Sequence, residues 1–122
     1  MTAVEILQRL RELTITASFN QWAGIEVVGV DDGECELRLV WRPDEMGQYA
    51  GFLHAGVIAA LLDTACGFAA TTTSGFSVLT SQFSVNCLAP AAGDEFVAIG
   101  RVVKAGRKQA RTDSGRPSAR SA

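Results

Sequence analysis

At 122 residues the chain has room for one domain with a modest core and not for two. Asp63 interrupts the best apolar run before it reaches the about eighteen uncharged residues of a membrane span, so no membrane partner is expected. The net charge of −2 hides a division: residues 1–104 carry 6 Lys and Arg against 12 Asp and Glu, and residues 105–122 carry 5 against 1, so the body offers no basic patch for nucleic acid.

The N-terminus, with Glu5, Arg9, Arg11 and Glu12 among its apolar positions, lacks a charged-then-apolar leader, and a cytoplasmic location is expected. In TAVEILQRLREL (residues 2–13), Val4, Ile6, Leu7, Leu10 and Leu13 recur at helical spacing. Thr2 and Glu5 form a capping-box pair, which predicts an amphipathic first helix. A linking segment with Phe19 and Trp22 packs that helix onto the body. Residues 25–30 and 34–42 flank Asp31-Asp32-Gly33, a turn signal between extended runs. Cys35, Leu37, Leu39 and Trp41 alternate with Glu34, Glu36, Arg38, Val40 and Arg42, the pattern of a half-buried antiparallel hairpin.

After a breaker-rich loop (43–50) comes GFLHAGVIAALLDTACGFAA (51–70). Nearly every position from Ala55 onward is apolar or small, which predicts a central helix at about 55–72, buried over most of its circumference. Residues 76–88 alternate as a strand, with Leu79, Phe83, Val85 and Cys87 on one face and Thr80, Gln82, Ser84 and Asn86 on the other. Residues 94–104 form a further strand. From Ala105 no apolar residue larger than Ala remains, so residues 109–122 are expected to be a polar, disordered tail behind a domain of residues 1–108. Cys35, Cys66 and Cys87 are odd in number and far apart, which favours free buried thiols over disulfides or a metal site. With a single histidine, neither a metal nor a redox cofactor is expected.

A carboxylate in a mostly apolar helix needs a partner or water, which singles out Asp63. His54, the only histidine, lies nine positions earlier, about 13 Å along the axis and on the opposite side of the helix. The two cannot share a site within one helix. If both serve one reaction, the helix mouth of one subunit meets the carboxylate of another across a two-fold interface. The mouth itself, with small residues around His54, presents backbone N–H groups at the positive end of the helix dipole, suited to polarising a carbonyl.

The run Gln48-Tyr49-Ala50-Gly51-Phe52-Leu53-His54-Ala55-Gly56, followed by Leu61 and Asp63, resembles the signature of the hotdog-fold acyl-CoA thioesterases of the phenylacetate-pathway (PaaI-like) type. The similarity continues through Val78-Leu79-Thr80, Asn86 to Pro90 and Gly100 to Arg107, and spans roughly residues 15–108. The resemblance implies an α+β hotdog fold, an antiparallel sheet wrapped around the long central helix. It implies a homodimer, commonly paired into a homotetramer, and hydrolysis of an acyl-CoA with an aromatic or medium-length acyl group. Asp63 would then act as general base or nucleophile, and N–H groups near Ala55 and Gly56 would polarise the carbonyl. Gln48 stands at the usual Asn, Thr80 would assist water, and His54 would order the mouth. Lys104, Arg107 and Lys108 would meet the phosphates of coenzyme A.

Simpler roles stand beside these: a structural hydrogen bond for His54, ordinary strand preference for Thr80, a solvated turn for the basic cluster. Family members continue past the Gly-Arg segment with two hydrophobic strands, whereas this chain turns polar near Gln109. A truncated or reading-frame-altered C-terminus, with an incomplete sheet, is the resulting expectation. A non-catalytic acyl-CoA-binding module and an inactive truncated product are the alternatives to an enzyme.

Overall fold

The computed structural model describes residues 2–74, 93–105, 110–114 and 118–120, with side chains for residues 2–73 and 93–103. The predicted strand at 76–88, with Thr80 and Cys87, lies outside the described residues.

Helix α1 (Ala3–Thr16) opens with the expected capping box: the Glu5 N–H donates to Thr2 Oγ1 and the Thr2 N–H to Glu5 Oε2. Leu10 and Thr14 are buried, Ile6, Leu7 and Leu13 pack beside them, and Val4 faces solvent. The linking segment is itself a short helix, α2 (Ser18–Ala23), stopped by Gly24 in the left-handed conformation at φ 72°. The Gly24 N–H returns to the carbonyls of Asn20 and Gln21, the usual glycine stop.

Strands β1 (Glu26–Asp31) and β2 (Glu34–Val40) form the expected hairpin around Asp32-Gly33, with Asp31 opposite Glu34 and Gly33 at φ 74°. A bulge between Val27 and Gly29 breaks the ladder. There the Val27 carbonyl accepts from both Nε and Nη2 of Arg11, tying α1 to β1. Cys35, Leu37 and Leu39 are fully buried. Pro43 opens a one-turn helix, α3 (Pro43–Met46), where a plain loop was expected; its fixed φ suits a first helical position. Arg42 secures this turn: its guanidinium donates to the Trp22 carbonyl, lies 3.0 Å from a Glu45 oxygen and covers the Trp22 ring at 5.1 Å.

The central helix α4 runs Ala55–Ser74, slightly longer than expected. Ile58, Leu61, Leu62, Ala65 and Ala69 are buried and share one side at about 100° per residue. They rest on β3 (Glu95–Ala105) and β2. The opposite side, with Ala59, Ala60, Asp63 and Gly67, is half-buried in the single chain, and towards its C-terminal end Ala70 and Thr71 are buried there as well. By length and composition α4 could cross a membrane; its seat on the sheet accounts for the same apolarity as that of a core helix.

Gly100 fixes that seat. Residues Phe96, Ala98 and Gly100 of β3 pair with Leu39, Leu37 and Cys35 on the buried face. A Cβ on Gly100 would stand 2.5 Å from the Ala65 carbonyl carbon and oxygen and 2.7 Å from the Cys66 nitrogen. Backbone cannot rotate away as a side chain can. Gly100→Ala is therefore expected to destabilise the fold by about 2–3 kcal/mol. Gly29→Ala, whose Cβ would meet nothing within 4 Å, stays within about 0.5 kcal/mol. Urea midpoints at unchanged slope compare the two, and equal effects would show that α4 does not seat on Gly100. At the far end of α4, Thr72 Oγ1 accepts from the Gly33 N–H at 2.8 Å, and the Gly33 carbonyl accepts from the Val102 N–H at 2.7 Å. The C-terminal end of the helix is thereby referenced to the hairpin.

The expected disordered tail is corrected in part. Strands β4 (Ala110–Ser114) and β5 (Ser118–Arg120) both run antiparallel to β3 along its edge away from β2, β4 against Gly100–Ala105 and β5 against Glu95–Val97. The composition argument counted only apolar side chains. A ladder is made by backbone N–H and C=O groups, which polar residues also carry, and an open edge on a central strand offers a full row of them. The sheet order is β1-β2-β3-β4, with β5 also on β3.

Candidate active site at the mouth of the central helix

The chain enters α4 through a loop closed at its base. Gly47 bridges Leu53 in antiparallel fashion, and the His54 N–H donates to the Met46 carbonyl at 2.9 Å. Met46 and Leu53 are buried, so the two ends of the loop are pinned in the core. Gln48, His54, Ala55 and Gly56 are thus collected at one place by the α3–α4 junction.

A helix start leaves four N–H groups without intrahelical acceptors, those of the N-cap and the next three residues. Here three are taken. His54 donates to Met46. The Gly56 N–H donates to His54 Nδ1 at 2.8 Å, and the Val57 N–H to the His54 carbonyl at 2.9 Å. Among the described residues no acceptor meets the Ala55 N–H. The Gly56 N–H is thus engaged by the imidazole, and among the described residues the Ala55 N–H is the open donor at the positive end of the dipole.

A Cβ on Gly56 would stand 3.0 Å from Nδ1 and 3.2 Å from Cε1 of His54, so the ring would have to give by a few tenths of an ångström. His54 is exposed, and its Nδ1 accepts from the Gly56 N–H.

Asp63 lies two and a half turns further on, half-buried on the side of α4 turned away from the core strip. Its helical neighbours Ala59, Ala60 and Gly67 are small. The single chain does not bring Asp63 to His54. Thr80, Arg107 and Lys108 lie outside the described residues. Lys104 is placed only by its backbone, in β3 opposite Arg111. Among the aromatic residues near the mouth and along α4, Phe52 and Phe68 are half-buried and Tyr49 is fully exposed.

Cys35 and Cys66 are free thiols. Burial, with lesser help from the Glu36 carboxylate and Cys66, pushes the Cys35 thiol up to about 12, which keeps it protonated and unreactive. Among the described residues no group of three His, Cys, Asp or Glu side chains could hold a metal ion.

Residues 50–113, which carry the mouth, α4 and β3, match the model of the Thioesterase superfamily. A thioesterase family protein from Silicibacter pomeroyi is 30% identical, at a TM-score of 0.77 over 89% of this chain and 91% of that one. The chain belongs to the Thioesterase superfamily. Among solved structures of this thioesterase's fold, the PaaI protein of the E. coli phenylacetic acid degradation operon superposes with a TM-score of 0.83 at 21% identity. That match covers 93% of this chain and 82% of the other. Thioesterase superfamily member 2 of Mus musculus does so at 0.75 and 21%, over 95% and 87%. These bear out the α+β hotdog architecture of a thioesterase. No protein of curated description matches the chain.

Two features around the candidate site were missed in the sequence. Gly100 carries a signal, since an isolated glycine inside a strand marks a close backbone approach, but its partner on α4 does not appear in the order of residues. The Met46 carbonyl that anchors His54 has no sequence signal, because any residue supplies a carbonyl.

Proposed function

We propose that this thioesterase hydrolyses acyl-CoA thioesters of the PaaI-like type, with an aromatic or medium-length acyl group, at sites shared between two copies of the chain. The observation that carries the reading is the open Ala55 N–H at the mouth of α4, with Asp63 on the far side of the same helix. The thioester carbonyl oxygen accepts from Ala55 N–H, where the helix dipole favours the negative charge that develops as the carbonyl is attacked. Asp63 of the second copy takes a proton from water as the water oxygen bonds to the carbonyl carbon. The C–S bond then breaks, and coenzyme A leaves as the thiol beside a carboxylic acid. Direct attack by Asp63, followed by hydrolysis of the anhydride, gives the same products.

Pairing of two helices is favoured by the small side chains around Asp63, which let a second backbone come close. Phe52 and Phe68 supply apolar wall for the acyl group, and Lys104, Arg107 and Lys108 supply charge for the coenzyme A phosphates. The test is free-thiol release from a panel of acyl-CoA substrates, phenylacetyl-CoA and straight-chain acyl groups included, corrected for the enzyme's three cysteines, with the oligomer mass measured by light scattering. Turnover by a dimer or tetramer is expected. A folded dimer that binds acyl-CoA without releasing thiol would instead be a binding module, and turnover by a monomer would sink the shared site.

A further inference from the structure

We propose that Gln48 is a positioning residue whose side-chain oxygen braces the loop ahead of α4 and so aims the helix mouth. The kinetic part of this proposal rests on the hydrolase reading above. Met46 and Leu53 anchor the loop's two ends in the core, but between them Tyr49, Ala50 and Gly51 are exposed, Tyr49 completely. Apolar packing therefore does not set the shape of the tip. Hydrogen bonds do, and they converge on one residue. The Gln48 N–H donates to the Phe52 carbonyl at 2.8 Å, and its carbonyl accepts from the Gly51 N–H at 3.0 Å. Its side-chain Oε1 accepts from the N–H groups of both Ala50 and Phe52. Gly51, at φ 89°, makes the tight return that brings those two donors to one oxygen.

The backbone bonds would survive any substitution; the two to Oε1 would not. Losing them leaves two N–H donors to water and frees the tip, only two residues before His54 and the open Ala55 N–H. The oxygen is committed to the loop, so the residue's effect on a thioester runs through the mouth.

The discriminating variant is Gln48→Glu, which keeps an oxygen of the same reach and exchanges the NH2 group for a second, charged oxygen; Gln48→Ala removes both. Amide hydrogen exchange at Ala50 and Phe52, and the amide shifts of Ala55 and Gly56, are read by NMR beside kcat and KM. In Gln48→Ala, protection at Ala50 and Phe52 is lost and the Ala55 and Gly56 amides shift. Its kcat falls about a hundredfold, the scale of a misplaced catalytic group, with a smaller change in KM. In Gln48→Glu the protection at Ala50 and Phe52 is kept, and kcat falls clearly less than in Gln48→Ala. Unchanged protection in Gln48→Ala would overturn the brace. A Gln48→Glu that keeps its protection yet loses turnover as Gln48→Ala does would overturn the positioning role in favour of direct contact through the NH2 group. If the wild type turns over no thioester, the hydrolase reading fails, while the exchange and shift data still decide whether Gln48 holds the mouth.

Discussion

Asp63→Ala is expected to lower acyl-CoA turnover at least about a hundredfold, the scale on which a general base contributes, with the loss in kcat rather than KM. The fold should bear the change. Asp63 faces away from the strip of Ile58, Leu61, Leu62, Ala65 and Ala69 that seats α4 on the sheet, so no core side chain loses its packing. Alanine is also the better helix former in a helix interior, by roughly half a kcal/mol, which offsets the contacts the carboxylate makes. A circular dichroism melt beside the thiol-release assay separates the outcomes. An unchanged melt with turnover lost places the carboxylate in the chemistry. Turnover retained in Asp63→Ala would remove Asp63 from the reaction altogether.

Ala55→Pro is the second large effect, a fall of about a hundredfold to a thousandfold in kcat, the size measured for removing one oxyanion donor. Proline at the first helical position is the least disruptive way to delete an N–H, because its ring suits the helical φ there and that N–H has no intrahelical acceptor to lose. The residue ahead of it must be extended, as an N-cap ordinarily is. Ala55→Ser, which keeps the N–H, should turn over near the wild-type rate. Ala55→Pro with full activity would show that the carbonyl is polarised elsewhere.

The two variants also test the shared site together. Each alone is inactive under this reading, because every site needs one mouth and one carboxylate. In a dimer formed from one chain of each kind, one of the two sites receives an intact Ala55 N–H and an intact Asp63. Refolding an equal mixture should therefore recover about a quarter of wild-type turnover, since half of the random dimers are mixed and each mixed dimer holds one good site. Recovery of nothing would place both groups in one chain.

Local rules were enough for the capping box of Thr2 and Glu5, the Asp32-Gly33 hairpin with Cys35, Leu37 and Leu39 inside, and the long helix ending near Ser74. In each, the signal and the structure it produces lie within a few residues, so periodicity and turn chemistry carry the information. The separation of His54 from Asp63 was likewise readable, because helical geometry alone puts nine residues on opposite sides. Composition misled at the C-terminus: side chains without apolar surface suggested disorder at residues 109–122, yet Ala110–Ser114 and Ser118–Arg120 pair with β3. What completes a sheet edge is backbone, which composition does not see. The choice of donor at the mouth was also beyond the sequence. Ala55 and Gly56 are equivalent as letters, and only the placement of the imidazole, with Nδ1 2.8 Å from the Gly56 nitrogen, leaves Ala55 open. The same holds for Gly100, whose neighbour across the core is the backbone of Ala65 and Cys66. Sequence by itself determined α1, the β1–β2 hairpin and α4, because those depend on near neighbours. Tertiary structure decided which backbone groups are spent and which remain available, because hydrogen-bond partners and close approaches are set by packing between segments far apart in the chain.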